Sequence, residues 1–350
     1  GNGKLGALVY GNPDQDILYL NDITFWTGKP VNLNEGGDAY KYIPLIRQEL
    51  FKENYKEADI LQHLVQGHNS ENYQPLSTLK INDYAKGSVL NYYRELDIDS
   101  AITKVRYTRG DVTFNREYLA SNPDKLIAIH LTASKKASIN CEILLTGQTP
   151  HKIKAADKQI TMLGNAIGDP KESIHFCSIL KADNKGGKIE VTDSTLQIIN
   201  ADEATLYFVN ETSFNGFDKH PVNEGADYIE NATNDIWHTV NYTYQQFRER
   251  HISDYRKIYS RLSLNLNGAK YDNKKTTEQQ LKDYTDNGGN NKYLETLYFQ
   301  YGRYLLISSS RTPSVPANLQ GLWTPHKFSP WRGNYTVNIN LEENYWHAEE

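Results

Sequence analysis

A chain of 350 residues with a net charge of −5 carries no broad basic surface to hold nucleic acid. Its mean hydropathy is −0.67, and no apolar run approaches the roughly 18 residues that a helical membrane span needs. Twenty-five Tyr against a single Met suit β-sheets and carbohydrate surfaces, and the length predicts two or three domains.

The opening reads LGALVYG, the turn Asn12-Pro13-Asp14, then ILYLN, which predicts a β-hairpin. Asn21, Asp22, Thr24 and Trp26 follow as a polar-aromatic cluster. It reads as a loop docked on a second domain, with the wall of a sugar site as the other reading. Over residues 38–66 the apolar period changes to three and four, through Ile43, Leu45, Ile46, Leu50 and then Ala58, Leu61 and Val65. That predicts two short helices inserted in a β domain, with Gly67 as the stop. His63 and His68 have no Glu or Cys at ligand spacing, so no metal site is expected there.

From Leu79 to Val209, strand-like runs alternate at period two between Gly, Asn, Asp and Pro. Short strands at that spacing predict a large antiparallel sandwich. Cys141 and Cys177 lie inside two of these runs and are expected as buried thiols, not a disulfide framework. Arg106, Arg109 and Arg116 are expected to face outward. Residues 211–234 lose their periodicity and mark a boundary. Trp237, Val240, Tyr244, Phe247, His251 and Tyr255 then predict one helix face running to about Leu262, with SLNLN as a brief strand after it. His251 is expected to be a satisfied structural histidine. After a polar run, a helix begins near Asn291, with Tyr293, Leu294, Leu297, Tyr298 and Tyr301 on its buried face. The domain expectation is a β-sandwich over residues 1–230 with its helical insertion at 38–66. A helical linker follows over 231–285, and a further all-α part over 286–350.

The last stretch, PANLQGLWTPHKFSPWRGNYTVNINLEENYWHAEE, holds three of the five Trp. Taken as extended, alternation places Thr336, Asn338 and Asn340 on one face. Each carboxamide offers an acceptor oxygen and two donor hydrogens without charge. Two together suit a fixed water or sugar hydroxyl, beside the flat rings of Trp323, Trp331, Tyr335, Tyr345 and Trp346. Ordinary loop polarity is the plainer reading of Asn-x-Asn, and the aromatic surroundings favour the sugar site. Glu349 and Glu350 are adjacent, so their carboxylates diverge and cannot straddle one bond.

The runs PANLQGLW and WRGNYTVNINLEENYW, after the opening GNGKLGALVYGNPDQDILYLNDITFWTGKP, resemble glycoside hydrolase family 95. The resemblance implies an N-terminal β-sandwich (super-sandwich), a helical linker and the start of an (α/α)6 barrel. It implies an inverting exo-glycosidase releasing terminal α-L-galactose or α-L-fucose from oligo- or polysaccharides. No cofactor and no metal are implied, and the location would be extracytoplasmic, periplasmic or secreted. By position, Asn338 and Asn340 would orient and polarise the attacking water, with Thr336, Trp331 and Trp323 binding the sugar. Fucose-preferring members commonly carry a His where this chain has Thr336, so Thr leans towards the galactoside.

A barrel of twelve helices at about 11–12 residues each does not fit within residues 286–350. The resemblance implies that the general acid and base lie further along the barrel than Glu350. The expected partners are the remainder of the barrel and terminal α-L-fucosyl or α-L-galactosyl glycans, with no nucleic acid. Two alternatives stand beside this reading. A non-catalytic carbohydrate-binding β-sandwich module would have no use for the Asn pair. An inverting glycoside phosphorylase with the same domain plan would need a phosphate pocket, for which only Arg311 and Ser308–Ser310 offer material.

Overall fold

The computed structural model describes residues 1–32 and 36–348. Glu349 and Glu350, set aside above as a carboxylate pair, lie outside the described residues. The chain opens with β1 (Leu5–Val9) and β2 (Gln15–Asp22), then inserts α1 (Ile43–Phe51) and α2 (Tyr55–Gln62). Strands β3 (Ser77–Asp83), β4 (Val89–Asp97), β5 (Ile102–Arg109), β6 (Val112–Ser121), β7 (Leu126–Ala133) and β8 (Ile139–Thr146) follow. The sandwich closes with β9 (His151–Ala156), β10 (Gln159–Asn165), β11 (His175–Lys185), β12 (Lys188–Val191), β13 (Thr195–Ala201) and β14 (Glu203–Thr212).

These strands form two sheets, a six-stranded one ordered β1-β2-β3-β8-β13-β12 and an eight-stranded one ordered β4-β5-β6-β7-β14-β11-β10-β9. Period-two alternation in β8 aims Ile139, Cys141, Ile143 and Leu145 into the space between the sheets. Tyr107, Ile129, Leu180 and Phe208 meet them from the opposite sheet. Strand β14 is buried on both faces, because its outer side lies under a helix. Both cysteines are free and buried.

Two of the three arginines expected to face outward turn inward. Arg116, 3% exposed, enters the core and bonds Asp83 at 2.9 Å, with Asp16 at 3.6 Å. Its guanidinium also donates to the carbonyls of Asn12 and Pro13, at 3.0 and 3.1 Å. A buried cation persists when its donors are all taken, and here they pin the β1–β2 turn. Arg109 is also buried and pairs with Asp14. Only Arg106 stands exposed.

The helical part holds α3 (Tyr228–Trp237), α4 (Tyr244–Tyr259), α5 (Thr277–Asp286), α6 (Lys292–Ser309) and α7 (Ile339–Tyr345). The single helix face expected from Trp237 onward is broken in two. Thr243 and Gln246 form a capping box that starts α4 afresh, and Trp237 and Val240 are left exposed. The expected SLNLN strand has no partner strand among the described residues and adopts no regular structure. Helix α5 lies inside the polar run, started by a second capping box from Thr276 and Gln279. Helix α6 begins after the N-cap Asn291, but its buried side is Leu294, Arg303, Tyr304 and Ser308, while Tyr298 is 81% exposed. Arg303 takes that place because it donates to the carbonyls of Tyr259 and Leu262, both at 2.9 Å, closing the end of α4. The inserted helices α1 and α2 form as the period predicts, yet bury only Ala58.

Candidate active site

The segment from Val315 to Trp346 is held on the sandwich before it reaches the asparagines. Asn21 exchanges two hydrogen bonds with the backbone of Thr324, at 3.0 and 3.1 Å. Asn72 and Gln74 both donate to the Lys327 carbonyl, at 3.1 and 2.9 Å. Tyr73 gives its hydroxyl to the Leu322 carbonyl at 2.7 Å and its backbone amide to that of Arg332 at 2.9 Å. The polar cluster at the end of β2 is thus a docked loop. Its neighbour Trp26 is the aromatic part of the same wall, tilted on Tyr73 and stacked on Tyr335 at 5.2 Å and 27°.

From this clamp the backbone turns sharply. Trp331, Arg332 and Gly333 all have positive φ, of 46°, 60° and 61°. Glycine accepts this conformation without strain, and a Cβ on Gly333 would crowd that of Tyr73 at 3.0 Å. Thr336 is left-handed again at φ 46°, and its hydroxyl donates to the Asn334 carboxamide oxygen. The Asn338 amide closes on the Thr336 carbonyl at 2.7 Å, and α7 follows.

The segment is therefore not extended, and strand alternation does not align its side chains. Asn338 is the N-cap of α7, at φ −152° and ψ −129°, and makes no side-chain capping bond. Asn340 stands in the first turn of the helix, where a two-residue step rotates a side chain by about 200°. Thr336 is turned by its own left-handed conformation, so it shares no strand face with Asn338. What survives is proximity along one tight turn. Among the described residues neither carboxamide has a hydrogen-bond partner.

The other sugar-binding candidates divide. Trp331 presents its ring to solvent, 77% exposed. Trp323 is half-buried and packs against the Ile23, Val315 and Leu322 cluster. Its ring lies so close to β1 that a Cβ on Gly6 would come within 2.9 Å of the indole nitrogen. Tyr345 anchors α7: its hydroxyl shares a hydrogen with that of Ser310 at 2.6 Å and accepts from the Ala317 amide at 2.8 Å. Burial pushes the Tyr335 phenol up to about 12, and burial also raises Tyr73. Both phenols are therefore neutral at neutral pH. Asn72, Tyr73 and Gln74 carried no sequence signal, since each works through long-range backbone contacts; Tyr345, expected as a flat ring beside the pair, serves instead as this anchor.

Such an arrangement offers two neutral amides, at the N-cap and in the first turn of α7, with no hydrogen-bond partner among the described residues. It can orient a water or a hydroxyl without adding charge.

Residues 1–216 match the family model described as glycosyl hydrolase family 65, N-terminal domain, and residues 243–350 match the glycosyl hydrolase family 95 catalytic domain. The chain is similar to Alpha-L-fucosidase 2 of Arabidopsis thaliana, 32% identical over 99% of this chain and 44% of that protein. It is also similar to Probable alpha-fucosidase A of Aspergillus niger, 28% identical over the whole chain and 45% of that protein. The corresponding protein of Aspergillus oryzae is 29% identical, with 50% of its length covered. The chain thus spans about half the length of the curated relatives it matches. Among solved structures, a putative kojibiose phosphorylase from human microbiome aligns with TM-score 0.41 at 9% identity, over 54% of this chain and 29% of that one.

Proposed function

The chain belongs to glycoside hydrolase family 95, and from that premise we propose that it supplies the water-orienting half of an inverting exo-glycosidase. In this reading residues 1–230 are the sandwich domain, 231–285 the linker, and 286–350 the opening of an (α/α)6 barrel. The enzyme releases terminal α-L-galactose or α-L-fucose from glycans that it meets outside the cytoplasm. The observation that carries the reading is the turn at Thr336, after which neither the Asn338 nor the Asn340 carboxamide has a hydrogen-bond partner among the described residues.

Inversion requires one proton donor at the leaving oxygen and one base for the water on the opposite face of the ring. In this reading Asn338 and Asn340 take neither role and serve the water alone. As the bond from the anomeric carbon to the leaving oxygen breaks, the acid gives that oxygen its proton. The water oxygen bonds to the same carbon from the other side and passes a proton to the base. Asn338 and Asn340 hold that water by its lone pairs and hydrogens. Being neutral, they leave the carboxylates' proton affinities unperturbed.

The test is Asn338→Ala and Asn340→Ala in the full-length enzyme. Loss of one orienting contact is typically worth about 10²–10³ in kcat. Because neither carboxamide supports another group, the melting temperature should hardly move. Early unfolding, or near-normal turnover, in both variants overturns the assignment.

A further inference from the structure

The outer face of the eight-stranded sheet changes character where the helices stop covering it. Beneath α3 and α4 it is apolar, with Ile102, Leu126, Ala128 and Val209. Beside the first turn of α4 it opens into a polar groove of about 740 Å³, and no residue of the Asn338 segment lines it. Strand register arranges the floor in two transverse rows. One runs Glu95, Lys104, Glu117, His130, Thr205, and the other Tyr93, Arg106, Asn115, Thr132, Glu203.

The first row is closed on itself. Lys104 pairs with Glu95 at 3.0 Å, and Glu117 accepts from the Tyr244 hydroxyl at 2.8 Å and from Arg248 at 3.2 Å. His130 shares a hydrogen bond with Thr205 at 2.9 Å and stacks on the Tyr244 ring at 4.1 Å. The second row is tied only at its ends, where Tyr93 donates to Glu95 and Lys185 pairs with Glu203. Between them, Arg106, Asn115 and Thr132 have no hydrogen-bond or ion-pair partner among the described residues. Three carboxylates stand in the groove, and each is taken by another group. Arg106 is left as its uncompensated cation.

We propose that this groove binds an acidic oligosaccharide, with a uronate carboxylate on the Arg106 guanidinium and ring hydroxyls on Asn115 and Thr132. Five strands about 4.8 Å apart make the row roughly 19 Å long, enough for several sugar units in a line. A guanidinium grips a carboxylate through two parallel hydrogen bonds, and amide and hydroxyl groups suit sugar hydroxyls as both donor and acceptor. The exposed Tyr93 ring closes one end as a stacking face. A polyphosphate backbone fits poorly, because it offers no neutral ring hydroxyls to Asn115 and Thr132. The site is argued without the Asn pair, so it stands or falls separately from the hydrolytic reading.

The experiment is calorimetric titration of the full chain with tetragalacturonate, with neutral cellotetraose, and with inorganic phosphate as competitor. Tetragalacturonate is expected to bind at least about tenfold more tightly than cellotetraose, and more weakly as salt rises. Arg106→Ala should lose about tenfold or more of that affinity at unchanged melting temperature, with Arg106→Lys between the two. Asn115→Ala should weaken binding less. The proposal is overturned if tetragalacturonate does not bind, if Arg106→Ala binds it as well as wild type, or if phosphate displaces it at equal concentration.

Discussion

Thr336 holds its backbone at φ 46°, a conformation in which a β-branched side chain crowds its own chain at a cost of about 1–3 kcal/mol. Three features hold it there: the tie of its hydroxyl to Asn334, the stacking of Tyr335 on Trp26, and the closure of the Asn338 amide onto its carbonyl. Glycine accepts this conformation without strain. Thr336→Gly in the full-length enzyme should therefore leave the melting temperature unchanged or slightly raised, yet lower kcat about tenfold or more by freeing the turn. Turnover as fast as wild type would show that the strained turn has no part in placing Asn338. The same residue bears on substrate preference. L-Galactose and L-fucose differ at C6, a hydroxymethyl against a methyl group, and a site that hydrogen-bonds a hydroxyl can discriminate strongly against the analogue without it. On matched aryl glycosides wild type should favour the α-L-galactoside in kcat/KM, and Thr336→His should shift the ratio towards the fucoside. A wild type that prefers the fucoside, or a ratio unmoved by His, removes Thr336 from the specificity.

Helix α4 packs its inner side on the sandwich through Phe247, His251 and Tyr255. The His251 ring donates from Nε2 to the Ser100 carbonyl at 2.9 Å, and burial pushes its pKa down to about 4. An unfolded histidine takes its proton near pH 6.5, so between pH 6.5 and 4 the unfolded chain gains a proton that the folded one refuses. Stability from this group is complete above pH 6.5 and is lost as pH falls towards 4, by about 3 kcal/mol in all. His251→Gln keeps a donor for Ser100 and should flatten the fall measured by urea unfolding between pH 6.5 and 4.5; a slope equal to wild type would mean that another group titrates. The place of His251 on a helix was legible from its period, as were the strands from their alternation. The break before α4 was not, because Trp237 and Val240 fit the same period and the break is made by the Thr243 cap. Helix α5 was hidden for a related reason: its start is polar and its apolar content slight. The SLNLN run alternates like a strand, but alternation makes a strand only when a neighbour supplies its hydrogen bonds. At the candidate site the residue types were legible and their geometry was not, since Trp331, Arg332 and Thr336 adopt left-handed conformations that their side chains do not announce.

Sandwich and helices are joined by contacts between segments 303 and 309 residues apart, Asn21 with Thr324 and Gly3 with Thr312. At the second of these the two backbones run close together. The Gly3 amide donates to the Ser308 carbonyl at 2.8 Å, and its carbonyl accepts from the Thr312 hydroxyl at 2.8 Å. Arg311, beside it, reaches Asp254 on α4 through two bonds of 2.6 and 3.2 Å. Gly3 has φ +84°, and a Cβ there would lie 2.2 Å from that of Arg311 and 2.5 Å from its backbone nitrogen. Backbone cannot retreat as a flexible side chain can, so β1 and the end of α6 would have to part. Gly3→Ala should therefore cost the strain of a left-handed alanine, about 1 kcal/mol, plus about 1–3 kcal/mol of overpacking. Gly110 makes the control, since it too has positive φ, at +57°, but faces open space; Gly110→Ala should cost the strain alone. Because the loop carrying Asn338 is anchored on the same seam, Gly3→Ala should also lower kcat in the full-length enzyme although Gly3 touches none of the site residues. Calorimetric melting and turnover on the two variants decide it. Equal melting temperatures for the two would show that the seam yields freely, and a destabilised Gly3→Ala with normal kcat would show that the turn is placed without it.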